Sequence, residues 1–154
     1  MKNIKQFFTY LVVGALVIAL SISCKSNEEP EKDNTHSNHP PSGTYSETLR
    51  SIKVTATVTT SGGTCNIKGT AYNLDDTTDT KQYDITITKW LHSDGNGDYA
   101  SAGNAYPSGE ATINAPQGAT DFVVWYNRNV AGSIQLWFNL DGKAYRTADN
   151  MVRQ

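Results

Sequence analysis

Cysteine is scarce and positive charge is never concentrated, which excludes several classes of protein. Two cysteines in 154 residues are too few for a disulfide framework. The 13 Lys and Arg residues stand singly and the net charge is −2 at pH 7, so the sequence has no basic stripe that would bind nucleic acid. It also has no phosphate-binding loop, dinucleotide fingerprint, nucleophile elbow or zinc-protease helix. We therefore predict a protein that is neither an enzyme nor a nucleic-acid binder.

The first 24 residues have the layout of an export signal. Lys2 and Lys5 precede an uncharged apolar run over 7–20, and small or apolar residues at 21–23 precede Cys24. This segment resembles the signals of bacterial lipoproteins, in the relaxed form of the Bacteroidota type, because Ser21 stands where leucine is usual. The resemblance implies that residues 1–23 are removed and that Cys24 carries lipid as a membrane anchor. An uncleaved spanning helix and a secreted protein without lipid are the alternatives.

Residues 24–43 are predicted to be the acylated cysteine and a disordered tether. Residues 25–43 contain no Val, Ile, Leu, Phe, Tyr or Trp, so they bury too little apolar area to offset the entropy of ordering. The acidic cluster at 28–33 resembles the surface-export tag of Bacteroidota lipoproteins. That resemblance implies an outer-membrane lipoprotein that faces the outside medium, whereas an ordinary solvated tether is the alternative. His36 and His39 could share a metal only if something fixed their backbone.

Residues 44–154 are predicted to be an all-β domain. Long helical patterns are missing, and apolar residues alternate with polar ones throughout. The short strands and their turns favour an antiparallel immunoglobulin-like β-sandwich of about seven strands. The segment 111–118, followed by 122–124, resembles the late strands of bacterial immunoglobulin-like domains. The predicted strands are 50–60, 64–74, 83–92, 110–115, 121–129, 133–140 and 143–148.

Three predicted turns set the expected strand pairing. Gly62-Gly63 would pair Val58 with Ile67, Ala56 with Gly69, Val54 with Ala71 and Thr60 with a buried, free Cys65. A three-residue loop over 130–132 would pair Val124 with Phe138, Tyr126 with Leu136 and Phe122 with Leu140. The Asp141-Gly142 turn would pair Phe138 with Tyr145. In each hairpin the paired apolar residues then share one face, which must be the core.

The face opposite this core is the most informative feature of the sequence. The expected register places Trp125, Trp137 and Arg146 in one row across three strands, with Asn127, Gln135 and Asn139 around them. Trp90 falls on the polar side of its own strand, where it either extends this surface or anchors the following loop. Indole faces and amides suit a glycan, and Trp with Arg also suits a protein partner. The alternative is structural, with cross-strand packing and Arg146 stacked on Trp137.

A second candidate site is the loop Asp94-Gly95-Asn96-Gly97-Asp98. Alternate oxygen side chains, here Asp94, Asn96 and Asp98, are how a loop wraps Ca²⁺. The sequence then departs from the EF-hand pattern at Tyr99 and Ala105, so further ligands would have to come from another loop, for example that of residues 75–79. The alternative is a solvated turn, since Asp, Asn and Gly are ordinary turn residues.

Taken together, these features predict a membrane-anchored, surface-exposed lipoprotein whose β-sandwich binds a glycan or a protein without catalysis. A structural or assembly lipoprotein of the envelope is one alternative. A small inhibitor or immunity-type lipoprotein is the other.

Overall fold

Strands are the regular secondary structure of the part of the chain that can be described, which contains no helix. The computed structural model describes residues 35–36, 39–49, 51–92, 98–106, 108–130 and 132–154. Within them lie twelve strands: β1 (Thr35–His36), β2 (Gly43–Leu49), β3 (Ile52–Ser61), β4 (Thr64–Asn73), β5 (Thr80–Ile87), β6 (Trp90–His92), β7 (Tyr99–Gly103), β8 (Ala111–Ala115), β9 (Thr120–Asn127), β10 (Ser133–Leu140), β11 (Lys143–Arg146) and β12 (Val152–Arg153). Over these residues, no helix is long and apolar enough to cross a membrane.

The predicted all-β, antiparallel, sandwich-like fold class is confirmed, with more strands than the seven that were predicted. Sheet I has the order β8-β5-β4-β3-β2, and sheet II has the order β1-β6-β7-β9-β10-β11. Strand β4 belongs to both, because its last residues, Tyr72 and Asn73, pair with β11. Near the C-terminus, Met151 bridges Ile134 of β10, and β12 then pairs with β2. The two sheets are therefore joined at two places.

The core is built from the inward-facing positions of both sheets. Sheet I contributes Val58, Ile67 and Ile85, and sheet II contributes Val124, Leu136 and Phe138, among other buried residues of a single cluster. Phe138 stacks on Tyr145 of the neighbouring strand, with ring centroids 5.4 Å apart. This period-two burial is the physical basis of the alternation in the sequence.

The hairpin of β3 and β4 has the predicted register. Gly62 and Gly63 both have positive φ, as a two-residue hairpin turn requires. Ala56 then pairs with Gly69 and Val58 with Ile67, and Thr60 lies opposite Cys65. Cys65 is free and buried, as expected, and its burial raises the pKa of the thiol to about 11. The third predicted turn is also confirmed, since Phe138 pairs with Tyr145 across Asp141-Gly142.

The hairpin of β9 and β10 differs from its predicted register by two residues. Tyr126 pairs with Ile134 and Val124 with Leu136, rather than with Leu136 and Phe138. The reason is the turn, in which the side-chain oxygen of Asn127 accepts hydrogen bonds from the backbone N–H groups of Asn129 and Val130. This local bonding is typical of Asn, and it lengthens the predicted three-residue loop. A shift of two residues leaves the paired side chains on their predicted faces as far as Trp137, and beyond it a bulge shifts the register by one further residue.

The predicted strand 83–92 is two strands that belong to different sheets. Strand β5 ends at Ile87, and the N–H groups of Thr88 and Lys89 both donate to the Glu110 carbonyl before β6 begins at Trp90. Because the chain passes here from one sheet to the other, the alternation of inward-facing and outward-facing side chains does not continue from β5 into β6. Trp90 therefore points into the core with no exposed surface, and its predicted place on the polar face is wrong.

The folded part of the chain begins before residue 44, inside the predicted tether. Strand β1 pairs with β6, with His36 opposite Trp90. The indole N–H of Trp90 donates to Nδ1 of His39 at 2.9 Å. Pro40 is buried, and its carbonyl accepts a hydrogen bond from the Thr60 hydroxyl. The polar composition of this segment did not reveal that its backbone groups would find partners on the domain.

Candidate ligand-binding site

A shallow depression lies on the outer face of sheet II, beside Trp125. It is open to solvent, and the space it shelters admits about one water molecule. Three strands and one turn line it, through Tyr99, Trp125, Asn127, Ser133, Ile134, Gln135, Asp149 and Asn150. This space is far smaller than the roughly 300–1,000 Å³ of a site for a drug-sized ligand.

Strand register explains why the surface is concave at this point. Trp125 of β9 lies between Ser101 of β7 and Gln135 of β10. In the adjacent row, Asn127 lies between Tyr99 and Ser133. The two serines are small and buried, while the aromatic residues are half-buried. Large and small side chains on one pleated face therefore produce a recess with an aromatic side.

The turn that contains Asp149 and Asn150 forms the wall of the depression. The amide nitrogen of Gln135 donates to Asp149 Oδ1 at 2.9 Å, and Arg146 forms an ion pair with the same carboxylate. The backbone N–H of Asn150 donates to Glu47 Oε2 at 2.7 Å. The Met151–Ile134 bridge follows at once. These contacts fix the wall in place, so little ordering is left for a ligand to induce.

Charge in the depression is balanced. Asp149 is the single ionised group among the lining residues, and its carboxylate is paired with Arg146. Arg146 also donates from Nε to the Thr147 carbonyl, which turns the guanidinium toward the wall. The remaining polar groups of the lining side chains are amides, a phenol, a hydroxyl and an indole N–H. The arrangement can therefore donate and accept hydrogen bonds without an uncompensated charge.

The structure brings together three of the seven residues predicted to bind a ligand, namely Trp125, Asn127 and Gln135. Trp137 pairs with Arg146 and with Val123, so Trp137 is a diagonal neighbour of Trp125 rather than its direct partner. Asn139 donates to Asp121 Oδ2, further along the strand. The seventh residue, Trp90, lies in the core, where its ring packs 6.0 Å from that of Tyr126.

Sequence reasoning missed five lining residues, namely Tyr99, Ser133, Ile134, Asp149 and Asn150. Tyr99 begins β7, a strand too short and too poor in apolar alternation to be predicted. Asp149 and Asn150 follow the last predicted strand, and their position depends on the bridge between Met151 and Ile134. An Asp-Asn pair indicates a turn, but no local signal indicates which strand that turn will contact.

The predicted lipid-carrying Cys24 lies outside the described residues, as do Asp94 and Asn96 of the candidate calcium loop. Asp98 is described, and its backbone carbonyl accepts a hydrogen bond from the N–H of Arg128. In the described part of the chain, no group of three or more His, Cys, Asp or Glu residues is placed to hold a metal.

A cluster around Asp79 has a structural explanation. Its carboxylate accepts hydrogen bonds from Lys81, Lys143 and the Tyr145 hydroxyl at 2.8–2.9 Å. These bonds lower the pKa of Asp79 far below its usual value. The cluster ties the turn before β5 to β11. Asp79 lies in the loop of residues 75–79 that the sequence offers for further calcium ligands, and its carboxylate is already paired with two lysines.

Comparison of the chain with models of protein families, with curated proteins and with solved structures finds no match.

Proposed function

We propose that this protein is a membrane-anchored, surface-exposed lipoprotein that binds a ligand without catalysis. The anchor is Cys24, at the end of the export signal described above, and residues 1–23 are removed. The ligand binds to the outer face of sheet II. A glycan and a protein are the two classes of ligand that the aromatic and amide groups of this face suit.

The observation that supports the binding role is the pair of half-buried tryptophans on a face whose other side chains are mostly polar, with the buried Val123 opposite Trp137 as an exception. Trp125 and Trp137 both lie on the outer side of the sheet, where they add nothing to the core between the sheets. Aromatic side chains at such positions supply large, rigid contact areas at low entropic cost. The depression beside Trp125 gives this face a defined shape. A binding surface accounts for both features.

The anchor is tested by metabolic labelling of cells with a fatty-acid analogue. The wild-type protein should be labelled and recovered with the membrane, whereas Cys24→Ser should be unlabelled and either released or unprocessed. Cys65→Ser is the matched control, since Cys65 is buried in the domain, and it should keep the label. Absence of label on the wild-type protein would refute the anchor. Surface display is tested separately, because an exposed domain should be degraded when protease is added to intact cells.

The binding face is tested with the isolated mature protein on a glycan array and against envelope proteins. Changing both Trp125 and Trp137 to Thr should abolish the interaction, because the indole area is lost. The double change Thr57→Ala and Thr86→Ala, on the outer face of sheet I, is the matched control and should keep it. Equal binding by all three proteins would refute the proposed face.

A further inference from the structure

We propose that residues 39–42 form a pH-sensitive strap, which is attached to the domain at neutral pH and detaches when the imidazole of His39 is protonated. The strap lies directly before β2, where the chain enters the sandwich. Its contacts are with β2, β3 and β6, and the outer face of sheet II is not involved.

Every residue of the strap is hydrogen-bonded to the domain. The Trp90 indole N–H donates to Nδ1 of His39, and the Thr60 hydroxyl donates to the Pro40 carbonyl, each at 2.9 Å. The Tyr45 hydroxyl donates to the following carbonyl of the strap, and the backbone N–H of Thr60 donates to its serine hydroxyl. Carbonyl and hydroxyl oxygens accept hydrogen bonds at any ordinary pH, whereas an imidazole nitrogen does so only without a proton. His39 is therefore the contact through which pH can act on the strap.

The hydrogen bond from Trp90 fixes the protonation state of His39. Because Nδ1 accepts, the ring must be neutral and carry its single proton on Nε2. Trp90 has no exposed surface, so its N–H cannot turn to water instead. A proton on Nδ1 would place two donors face to face and leave the indole N–H without an acceptor. The attached strap therefore excludes the second proton.

The other ring nitrogen offers the charged form no compensation. Nε2 of His39 is buried and has no hydrogen-bond partner among the described residues. None of the ion pairs found in the described part of the chain includes His39. A buried charge without a partner is costly. Detachment of the strap returns the imidazolium to water and removes this cost.

The titratable groups on the neighbouring strands keep their charge over the same pH range. Tyr126 of β9 packs on Trp90, Tyr45 of β2 binds the strap, and Cys65 of β4 lies opposite Thr60. Burial raises the pKa of Tyr45 to about 12, that of Cys65 to about 11, and that of Tyr126 above its usual value. All three are therefore neutral at pH 8 and below.

Two arginines and two further histidines complete the surroundings. Arg128 and Arg153 act electrostatically on the two tyrosines, and both stay positive at every pH considered. His36 belongs to β1 and His92 to β6, so both lie on strands next to the strap. These two histidines titrate as well and require their own control variants.

The direction of the pH dependence follows from proton binding. A solvated histidine takes up a proton near about pH 6.5. Below that pH, the detached strap binds a proton that the attached strap excludes, so attachment weakens as the pH falls. From pH 8 to pH 5, the equilibrium constant for opening should rise roughly tenfold or more. Detachment would also draw β1 away from the edge of β6.

The test is hydrogen exchange of the mature protein, measured by NMR at pH 8 and pH 5 and corrected for the exchange rates of unprotected groups. The reporters are the indole N–H of Trp90 and the backbone N–H of Thr60, which both donate to the strap. Their protection should fall roughly tenfold or more at pH 5. Amides in the centres of β4 and β5 are the internal control and should keep their protection, because the domain itself stays folded.

Three variants assign the response to one histidine. His39→Asn keeps a side-chain oxygen near the position of Nδ1 but cannot be protonated, so the reporters should be equally protected at both pH values. His36→Asn and His92→Asn are the matched controls and should respond as the wild type does. A response that survives in His39→Asn, or that is lost in a control variant instead, would overturn the role of His39.

Two measurements on the wild type alone can also overturn the proposal. Equal protection of the two reporters at pH 8 and pH 5 would show that the strap does not respond to pH. The nitrogen-15 chemical shifts of the His39 ring at pH 8 should show the proton on Nε2 and none on Nδ1. A proton on Nδ1 would refute the hydrogen bond on which the strap depends, and this result decides the question even if His39→Asn fails to fold.

Discussion

The outer faces of the two sheets present different kinds of side chain to the solvent. On sheet I, Thr57, Lys68 and Asp84 lie in one row across three strands. Lys68 pairs with Asp84 at 2.9 Å, and Asn66 donates to the same carboxylate at 2.7 Å. Sheet II instead places two tryptophans among its polar side chains. Polar groups satisfy one another on both faces, as Gln135, Asp149 and Arg146 do on sheet II, so it is the two tryptophans that direct the search for function to sheet II.

The largest expected change in folding stability comes from adding a side chain at Gly69, in the centre of sheet I. A Cβ atom at Gly69 would lie 2.7 Å from the Tyr83 hydroxyl and in contact with the Thr55 backbone carbonyl. Gly69→Val should therefore destabilise the domain by about 3 kcal/mol or more, as measured by urea unfolding. Thr57→Val, at an exposed position of the adjacent strand, should change stability by about 0.5 kcal/mol or less. Equal stability of Gly69→Val and the wild type would mean that the central strands are not packed this closely.

An intermediate loss of folding stability is expected when either of the two tryptophans is replaced alone. Both are half-buried, so Trp125→Thr and Trp137→Thr should each cost about 1–2 kcal/mol, with folding preserved because Thr suits strands. Thermal melting followed by circular dichroism should give similar shifts for the two variants. Each variant should weaken ligand binding, because each removes indole area from the proposed face. Loss of folding in both would show that the tryptophans serve the sheet rather than a ligand.

The smallest loss of folding stability is expected when the carboxylate of Asp84, on the outer face of sheet I, is removed. Burial would raise the pKa of Asp84, but hydrogen bonds from Asn66, Lys68 and Asn114 outweigh it and lower that pKa. Asp84→Ala should therefore cost about 1 kcal/mol at pH 7. Because the folded-state pKa is the lower one, the contribution is present above about pH 4 and is lost as the pH falls through the folded-state value.

Thermal melting of the wild type and of Asp84→Ala at a series of pH values from 7 to 2 measures this contribution to stability. The wild type and Asp84→Ala should differ at neutral pH and converge in acid. Asp75→Ala, in the exposed loop after β4, is the control and should follow the wild type throughout. A difference between wild type and Asp84→Ala that persists at pH 2 would show that packing, not charge, accounts for it.

Local signals in the sequence were sufficient for the fold class and for two hairpins. Gly62-Gly63 and Asp141-Gly142 have backbone requirements that few other residues meet, so their turns set the register correctly. The turn after Asn127 depended on a side chain that bonds its own backbone, which the spacing of glycine alone does not reveal. Trp90 was misplaced because two residues, Thr88 and Lys89, carry the chain from one sheet to the other.

The candidate site was predictable only where it lies along β9 and β10. Trp125, Asn127 and Gln135 are brought together by a hairpin, so alternation and turn chemistry were enough to group them. Tyr99 and the wall at 149–150 come from distant parts of the chain. Their positions follow from sheet order and from the bridge at Met151, which are determined by the packing of the whole domain.

The order of the strands also bears on how copies of this protein would behave when crowded together. Exposed strand edges are templates on which other chains can add, and proteins limit this by keeping edge strands short. Here the outermost strands of the long path are β1 and β12, of two residues each, and the remaining edge strand, β8, has five residues and is followed by Pro116. The longer strands β3, β4, β9 and β10 all have neighbours on both sides. Strand β1, in the segment that the sequence assigned to a tether, thus covers the edge of β6.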